Sequence, residues 1–515
     1  MALSAQNDLM LSASTKHLLL AASIGGVAVA LPFLQPSLFP LAWVALVPLF
    51  WLVRRAATLR ETFLISWLGG AVTLATGFYW VDHTMRVFGG IPPGLSELGL
   101  LLFGVSQSIP IALFALLTRL SGLGPLYLFP ALLWVAIEFV FPQIFPWHLA
   151  NSQSAFLALI QTADLAGPYG TSFLLVWLNA LVYAALFERS GKAKDLVTGV
   201  AVLGVFTIAA LFYGESRLNS VALAMRAAKR LEIAAIQGSI DIKYKWKTAF
   251  LESNLKSYLE LTEKSRNAAL YIWPESAVEA WVPEDAQNLP AEMVPALPTD
   301  SALIFGARSF RGDPRSPDAK VFNSAFLIDS RGNVKGHYHK QVLLAFGEYL
   351  PFAAVFSKVP GVPPIGDGFT RGNGPVTLDI ANGIRVAPLI CYEDLMPELA
   401  RRFVREKSAD ILVNLTNDAW FGDTVAPWQH ARLAQWRAIE TRRSLVRVTN
   451  TGLTAIIDPR GEMVKNLPTF TPGVLTASVP IMTGETFYVR YGDWFAWMMV
   501  VASLAIVLSR WRRGK

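Results

Sequence analysis

The chain has almost no cysteine and little charge. Cys391 is the single thiol among 515 residues, so no intramolecular disulfide can form and a zinc site built from several cysteines is excluded. Any sulfur chemistry belongs to one free thiol. Only 16% of the residues are charged and 53% are hydrophobic, and the mean hydropathy of +0.40 is far from that of an ordinary soluble domain. Such a chain needs lipid as part of its solvent. A glycine-rich phosphate loop and a dinucleotide fingerprint are also missing, so no cofactor is expected. The six histidines form no metal-ligand pair at helical or hairpin spacing with acidic neighbours, so no metal is expected. His430 reads as a packed or surface helix residue. The net charge of +7 does not make a nucleic-acid binder, because the basic residues stand in short groups beside apolar runs and not in one stripe with aromatic stackers.

Long apolar runs are what the chain has in abundance. A membrane-spanning helix takes about 20 apolar residues, since only a helix satisfies its own backbone in a bilayer. Stretches near 18–34, 39–53, 62–80, 98–118, 125–145, 169–187, 196–213 and 491–509 qualify. They predict about eight spans, although the second is short and the fifth carries Glu138. Alternate connections are basic: Lys16 before the first span, Arg54, Arg55 and Arg60 after the second, Arg119 after the fourth, and Arg189, Lys192 and Lys194 after the sixth. Arg510, Arg512, Arg513 and Lys515 close the chain. Lys and Arg prefer the cytoplasmic side, which puts both termini there and residues 214–490 outside. The first apolar run has small residues like those of a cleaved signal peptide, but the second run follows closely, and its basic flank fits a retained first helix better.

The chain therefore divides into N-terminal transmembrane helices (1–213), a linker (214–229), a globular domain (230–480) and a C-terminal transmembrane helix with a basic tail (481–515). In the globular part charges return, and short β-branched or apolar runs alternate with helical periodicity, the pattern of an α/β domain. Strands are expected in the runs starting at Leu231, Ala269, Ala302, Val321, Arg385, Ala409 and Ser444. Leu251, Leu255, Tyr258 and Leu259 repeat at helical spacing, as do Leu433, Trp436 and Ile439. Residues 350–369 hold several prolines without a strong period and read as a loop. It either rests on the lipid surface or is buried against its own domain.

Three candidate reactive side chains each follow a β-like run: Glu275 after ALYIWP, Lys340 after VKGHYH and Cys391 after RVAPLI. A residue just past a strand sits at the sheet edge, where a rigid scaffold can bring it to others. The three types suit thiol acyl chemistry. A carboxylate can take the thiol proton, and an ammonium can favour the thiolate and then the oxyanion of a tetrahedral intermediate. Taken alone, a lone cysteine after an apolar strand is more often a small buried hydrophobe than a nucleophile, and Glu275 with Lys340 could be a surface ion pair of little worth.

Longer strings narrow this reading. YIWPES, HYHKQVLLAFGEYLP and LICYED resemble the three signature blocks of the nitrilase superfamily in order and separation. With NLTNDAWFG (414–422), RAIETRR (437–443) and the helices, the chain resembles the membrane-embedded branch of that superfamily, the apolipoprotein N-acyltransferases, over nearly its whole length. The resemblance implies an α-helical transmembrane bundle carrying an α/β periplasmic domain, a nitrilase-like αββα sandwich, in the bacterial inner membrane. It implies that Cys391 takes the sn-1 acyl chain of a phospholipid donor, typically phosphatidylethanolamine, as a thioester, and passes it to the α-amine of a diacylglyceryl-cysteine apolipoprotein acceptor. By position, Glu275 matches the general base, Lys340 the oxyanion-stabilising lysine and Cys391 the nucleophile. Glu348 matches a second, supporting glutamate, and Tyr392 and Glu393 shape the site, with the Tyr392 N–H a candidate oxyanion donor. Trp246 and Trp420 match aromatic positions linked to lipid access, with plain packing as the rival. Ala345 stands where the family commonly has proline before FGEY, leaving that loop less rigid without removing a reacting group. Two rivals remain: a membrane-tethered amidase that hands the acyl group to water, and a non-catalytic transporter or receptor with an outer binding domain.

Overall fold

The computed structural model describes residues 13–188, 193–265, 267–313, 316, 318–345, 347–349 and 368–513. The loop expected over 350–369 lies outside the described residues except for its last two. The chain forms two units: Met1–Arg86, Pro92–Arg217 and Asp493–Lys515 make one, Val87–Ile91 and Leu218–Gly492 the other.

Among the described residues of the first unit, five helices are long and apolar enough to cross a membrane: Thr15–Leu34, Pro36–Arg55, Leu95–Ser121, Tyr169–Phe187 and Ala193–Ala227. The pair Leu59–Gly77 and Trp80–Val87, bent by 64°, makes a sixth if it is one span. Pro125–Val140, Leu157–Ala166 and Trp494–Arg510 are apolar but shorter. Length and composition thus give five or six spans where the apolar runs suggest eight, and proline accounts for part of the difference. The run 125–145 is α-helical only over Phe129–Val140, because Phe141 precedes Pro142 and the residue before proline disfavours the α conformation. The seventh run does not stop at 213; its helix continues through the expected linker to Ala227.

Local chemistry explains the starts and contacts of these helices. Thr58 caps Leu59–Gly77 by accepting from the Glu61 N–H at 3.0 Å, and the Glu61 carboxylate accepts from the Ala57 N–H, a reciprocal cap. Thr15–Leu34 and Leu59–Gly77 meet backbone to backbone: a Cβ on Gly26 would stand 2.5 Å from the Gly69 carbonyl oxygen. Small residues at such crossings let helices approach closely in lipid. Glu138 accepts on Oε1 from the Trp134 indole (3.1 Å), the Leu149 N–H (2.7 Å) and the Ser172 hydroxyl (3.3 Å), while its Oε2 has no hydrogen bond among the described residues and lies 3.7 Å from His148 Nδ1.

The second unit holds thirteen described strands: β1 (Arg230–Gln237), β2 (Leu270–Ile272), β3 (Val278–Pro283), β4 (Ala302–Arg311), β5 (Lys320–Asp329), β6 (Val334–His339), β7 (Leu378–Ile380), β8 (Ile384–Ile390), β9 (Ile411–Thr416), β10 (Leu445–Thr449), β11 (Ala455–Ile457), β12 (Met463–Asn466) and β13 (Gly473–Pro480). One sheet runs β13-β1-β2-β4-β5-β6 with β3 beside β4, and the other runs β12-β11-β10-β9-β8-β7. Alternation sorts the side chains of the first sheet. Ile233 and Ala235 of β1, Leu270 and Ile272 of β2 and Ile304 of β4 share a core with Leu389 of β8 and Leu412 of β9. Their neighbours Ala234, Ile236, Tyr271, Leu303 and Phe305 face the other way, onto Tyr258 and Leu261 of helix Leu251–Glu263. Period-two alternation on two packed sheets has this result. The parallel strands β8, β9 and β10 are covered on both faces, so β9 reads ILVNLT and is buried throughout. Helices Pro397–Lys407 and Ala426–Thr441 supply the outer layer through Leu399, Phe403, Ala434 and Ala438. The unit is a helix–sheet–sheet–helix sandwich.

Candidate active site

The apolar strand β8 ends at Ile390, and the chain turns sharply at Cys391, whose φ is +53°. This left-handed conformation is costly for a residue with a Cβ, and the surroundings hold it in place. Asn414 of β9 donates to the Cys391 carbonyl oxygen at 2.9 Å and to that of Leu389 at 3.2 Å. The fully buried carboxylate of Glu393 accepts from the N–H of Ile390 (2.8 Å), Gln341 (2.6 Å) and Val342 (3.0 Å) and from the Tyr338 hydroxyl (2.9 Å). One side chain thus fastens the cysteine turn to the segment that follows Lys340. Glu393→Ala strands these buried donors and is expected to destabilise the protein by about 3 kcal/mol or more, read as a lowered melting temperature of the purified chain.

Glu275 follows β2, Lys340 follows β6 directly, and the two come together from different strands. Glu275 is 7% exposed and Lys340 1%, so neither is the surface ion pair that composition alone allows. The Lys340 ammonium lies 2.7 Å from Glu348 Oε2 and 3.9 Å from Glu275 Oε1. Asn323 of β5 donates to both carboxylates, at 2.8 Å to Glu275 and 2.9 Å to Glu348. Glu275 and Thr416 are near enough to the Cys391 thiol to act on its ionisation. Glycine makes room for this arrangement at one point. A Cβ on Gly306 of β4 would sit 2.6 Å from the Glu275 Cα and the Ser276 nitrogen and 2.7 Å from the Pro274 carbonyl oxygen. Gly306→Ala must therefore push the Glu275 backbone aside, at about 2 kcal/mol or more. The expected outcome is a lower melting temperature together with a loss of rate.

The electrostatics follow from burial and proximity. Burial foremost, and then the facing Glu275, push the Cys391 thiol above its ordinary pKa; Lys340 and Thr416 only partly offset them. The thiol is therefore protonated at rest and needs a base. Burial also raises Glu275, against the pull of Lys340 and Asn323. Burial works against the Lys340 ammonium, but Glu348 foremost and Glu275 outweigh it and hold the lysine charged. Burial lifts Glu393 to about 7, opposed by its backbone donors and Lys340. The result is a neutral thiol, a carboxylate of raised basicity and a fixed cation in one buried group, which suits nucleophilic attack on a carbonyl.

The structure also places the remaining residues singled out in the sequence. Tyr392 is buried in the turn after Cys391. The Trp246 and Trp420 rings stand 5.7 Å apart, and Phe88 lies 4.4 Å from Trp420. The Trp246 N–H donates to Glu279. Its neighbour Lys245, which the sequence did not single out, is buried and donates to the Ser276 carbonyl oxygen at 2.8 Å, one residue past Glu275. Burial lowers this lysine to about 8 despite Glu279 and Glu275. Asn323 was also missed, since its work shows only once three chain segments meet. His430 is a packed helix residue, as its sequence suggests, held in a buried ionic cluster. Its Nε2 lies 2.7 Å from Asp394 and its Nδ1 3.0 Å from Asp418, with Arg447 2.8 Å from Asp418. Burial and Arg447 disfavour the imidazolium, and the two aspartates outweigh them to raise its pKa. This cluster joins the turn holding Cys391 to the segment holding Trp420.

Comparison with known proteins covers both units. The carbon-nitrogen hydrolase family model matches residues 232–487, and the model of the apolipoprotein N-acyltransferase N-terminal domain matches residues 25–181. An apolipoprotein N-acyltransferase of Geobacter metallireducens is 35% identical over 96% of this chain and 95% of its own length. One from Azotobacter vinelandii is 33% identical over 92% and 90%, and one from Photobacterium profundum 30% over 98% and 97%. Among solved structures, an amidase from Nesterenkonia sp. aligns at 20% identity with a TM-score of 0.34, over 51% of this chain and 94% of the amidase. That score carries no weight for activity. The full-length similarity to the named relatives and the two matching family models agree: the chain belongs to the apolipoprotein N-acyltransferase family.

Proposed function

We propose that this enzyme moves the sn-1 acyl chain of a phospholipid, phosphatidylethanolamine in the first instance, through a thioester on Cys391 to the α-amine of a diacylglyceryl-cysteine apolipoprotein. The observation that carries this reading is the convergence of Glu275 and Lys340 on the protonated Cys391 thiol. In the first half-reaction Glu275 accepts the thiol proton as sulfur attacks the ester carbonyl, and Lys340, with the Tyr392 N–H, stabilises the oxyanion. The carbon–oxygen ester bond breaks, the departing lysophospholipid oxygen takes the proton back from Glu275, and the acyl group stays on sulfur. In the second, the acceptor amine attacks the thioester and gives its proton to Glu275. The carbon–sulfur bond breaks, and the proton returns to the thiolate. Glu348 holds Lys340 in place, Glu393 holds the turn, and Trp246 and Trp420 line the way for lipid.

The membrane arrangement is part of the proposal. The five long helices, the bent pair and the apolar helices Pro125–Val140 and Trp494–Arg510 coincide with the eight apolar runs. We read them as eight spans, with residues 1–213 and 481–515 anchoring a catalytic domain of residues 230–480. The basic connections put the termini in the cytoplasm and the domain on the periplasmic face of the inner membrane. Keeping the reaction at the lipid surface avoids drawing an acyl chain into water, which costs about 0.8 kcal/mol per methylene.

Intact-mass spectrometry after incubation with phosphatidylethanolamine tests the scheme. The expected result is one added acyl mass that hydroxylamine removes, release of lysophospholipid, and discharge of the adduct by a diacylglyceryl-cysteine peptide with formation of an amide. Discharge to free fatty acid with the peptide ignored would replace transfer with hydrolysis. No adduct and no lysophospholipid would overturn the proposal.

A further inference from the structure

The face of β6 that carries His337 and His339 holds a second cluster with its own chemistry. Residues two apart on a strand point the same way, and the two imidazole rings lie 4.7 Å apart, tilted by 35°. Glu284, just past β3, reaches both: its Oε1 is 3.9 Å from His337 Nε2 and its Oε2 is 3.8 Å from His339 Nε2. These separations are too long for hydrogen bonds. The His339 side chain is nine-tenths buried. Its Nδ1 is bonded to the Ser324 hydroxyl at 2.7 Å, which in turn meets the Ser309 hydroxyl at 2.6 Å. Phe322 stacks on the same ring at 4.1 Å. The ring is thus fixed with Nε2 turned towards Glu284 and His337, and among the described residues no hydrogen-bond partner reaches that nitrogen. A buried ring nitrogen left without a partner calls for an occupant.

We propose that Glu284, His337 and His339 bind one divalent transition-metal ion of the zinc class. Two imidazoles and a carboxylate form a borderline ligand set that suits such an ion and leaves a fourth position open. The three ligand atoms lie within 4.8 Å of one another, whereas ligands on a tetrahedral zinc stand about 3.3 Å apart, so small side-chain shifts close the site. The Ser324 hydroxyl on His339 Nδ1 is the outer contact that orients a metal-bound histidine. Arg311 is the competitor, since its guanidinium holds both oxygens of Glu284 at 2.6 Å. Its side chain is 49% exposed, so it can swing into solvent when the ion takes the carboxylate, at the cost of this bidentate pair. Helical and hairpin spacings do not reveal two histidines two apart on one strand whose carboxylate arrives from another.

The test uses the full chain, purified in detergent without a polyhistidine tag and titrated with Zn²⁺ by calorimetry and with Co²⁺ by visible absorption. One equivalent is expected to bind, with the intense visible bands of tetrahedral cobalt. His337→Gln and Glu284→Gln are each expected to weaken binding by about tenfold to a hundredfold, and Arg311→Met to tighten it, because the competing cation is gone. Melting curves without metal identify any variant that fails to fold, and either ligand variant suffices. Absence of binding by the unsubstituted chain overturns the proposal whatever Arg311→Met does, as does undiminished binding by a folded ligand variant.

Discussion

Cys391→Ser is expected to reduce acyl transfer by about 10⁴-fold or more while leaving the melting temperature unchanged. The substitution swaps sulfur for oxygen at nearly constant shape, and serine meets the same backbone demand as cysteine at a φ of +53°, so the turn and the Glu393 contacts survive. What changes is the nucleophile. A hydroxyl is far harder to ionise than a thiol, and Glu275, although raised by burial, is too weak a base to make up the difference. Removing a covalent nucleophile in other enzymes costs about 10⁴- to 10⁶-fold in kcat. Single-turnover release of lysophospholipid measures the loss, and the adduct on the unsubstituted chain should be absent from Cys391→Ala. Retention of near-normal transfer by either variant would remove Cys391 from the reaction.

Glu275→Gln is expected to cost about 10³-fold in transfer and to change thiol reactivity in the opposite direction. The glutamine keeps the shape and can still meet Asn323, but cannot accept the thiol proton. The glutamate charge is one of the groups pushing the Cys391 thiol up, while Lys340 pulls it down; once that charge is gone, the lysine opposes burial with less against it and the thiol pKa falls. Alkylation of Cys391 by iodoacetamide at fixed pH should then be at least as fast as in the unsubstituted chain, although catalysis collapses. The pH profile supplies the sign. A base must be deprotonated to work, so activity falls as pH drops through the Glu275 pKa. Burial raises that pKa, which places the acid limb above the ordinary glutamate value of about 4.3. The limb should vanish from the residual activity of Glu275→Gln. Alkylation and transfer falling in parallel would point to a collapsed site and not to a missing base.

The three reacting groups were legible because each ends a strand with a strong apolar pattern, and because the strings around them are specific. Their mutual distances were not legible, since they depend on Asn323 and Gly306, which carry no reactive chemistry. In the sequence Asn323 is one polar residue in an alternating strand, and Gly306 interrupts an apolar run. Each acts on a segment that the fold brings alongside it. Helix Pro397–Lys407 was overlooked because Arg401, Arg402, Arg405 and Lys407 mask the narrow stripe of Leu399, Phe403 and Val404. β13 was missed because its partner is β1, at the other end of the domain, and no local signal announces so distant a pairing. The apolar runs coincide with apolar helices, but their breaks depend on proline placement and on contacts that hydropathy does not read.

The solitary thiol gives this protein an analytical property that most enzymes must be engineered to acquire. Cys391 is the sole cysteine in the sequence, and it is also the atom on which the proposed chemistry turns. A maleimide or iodoacetamide reporter therefore has a single destination, with no background from other thiols in the chain. The fraction of protein that resists such a reagent after exposure to lipid counts occupied sites directly, without isolating products. With every copy labelled at one point, the same reagent becomes a titrant for competent enzyme in a purified preparation.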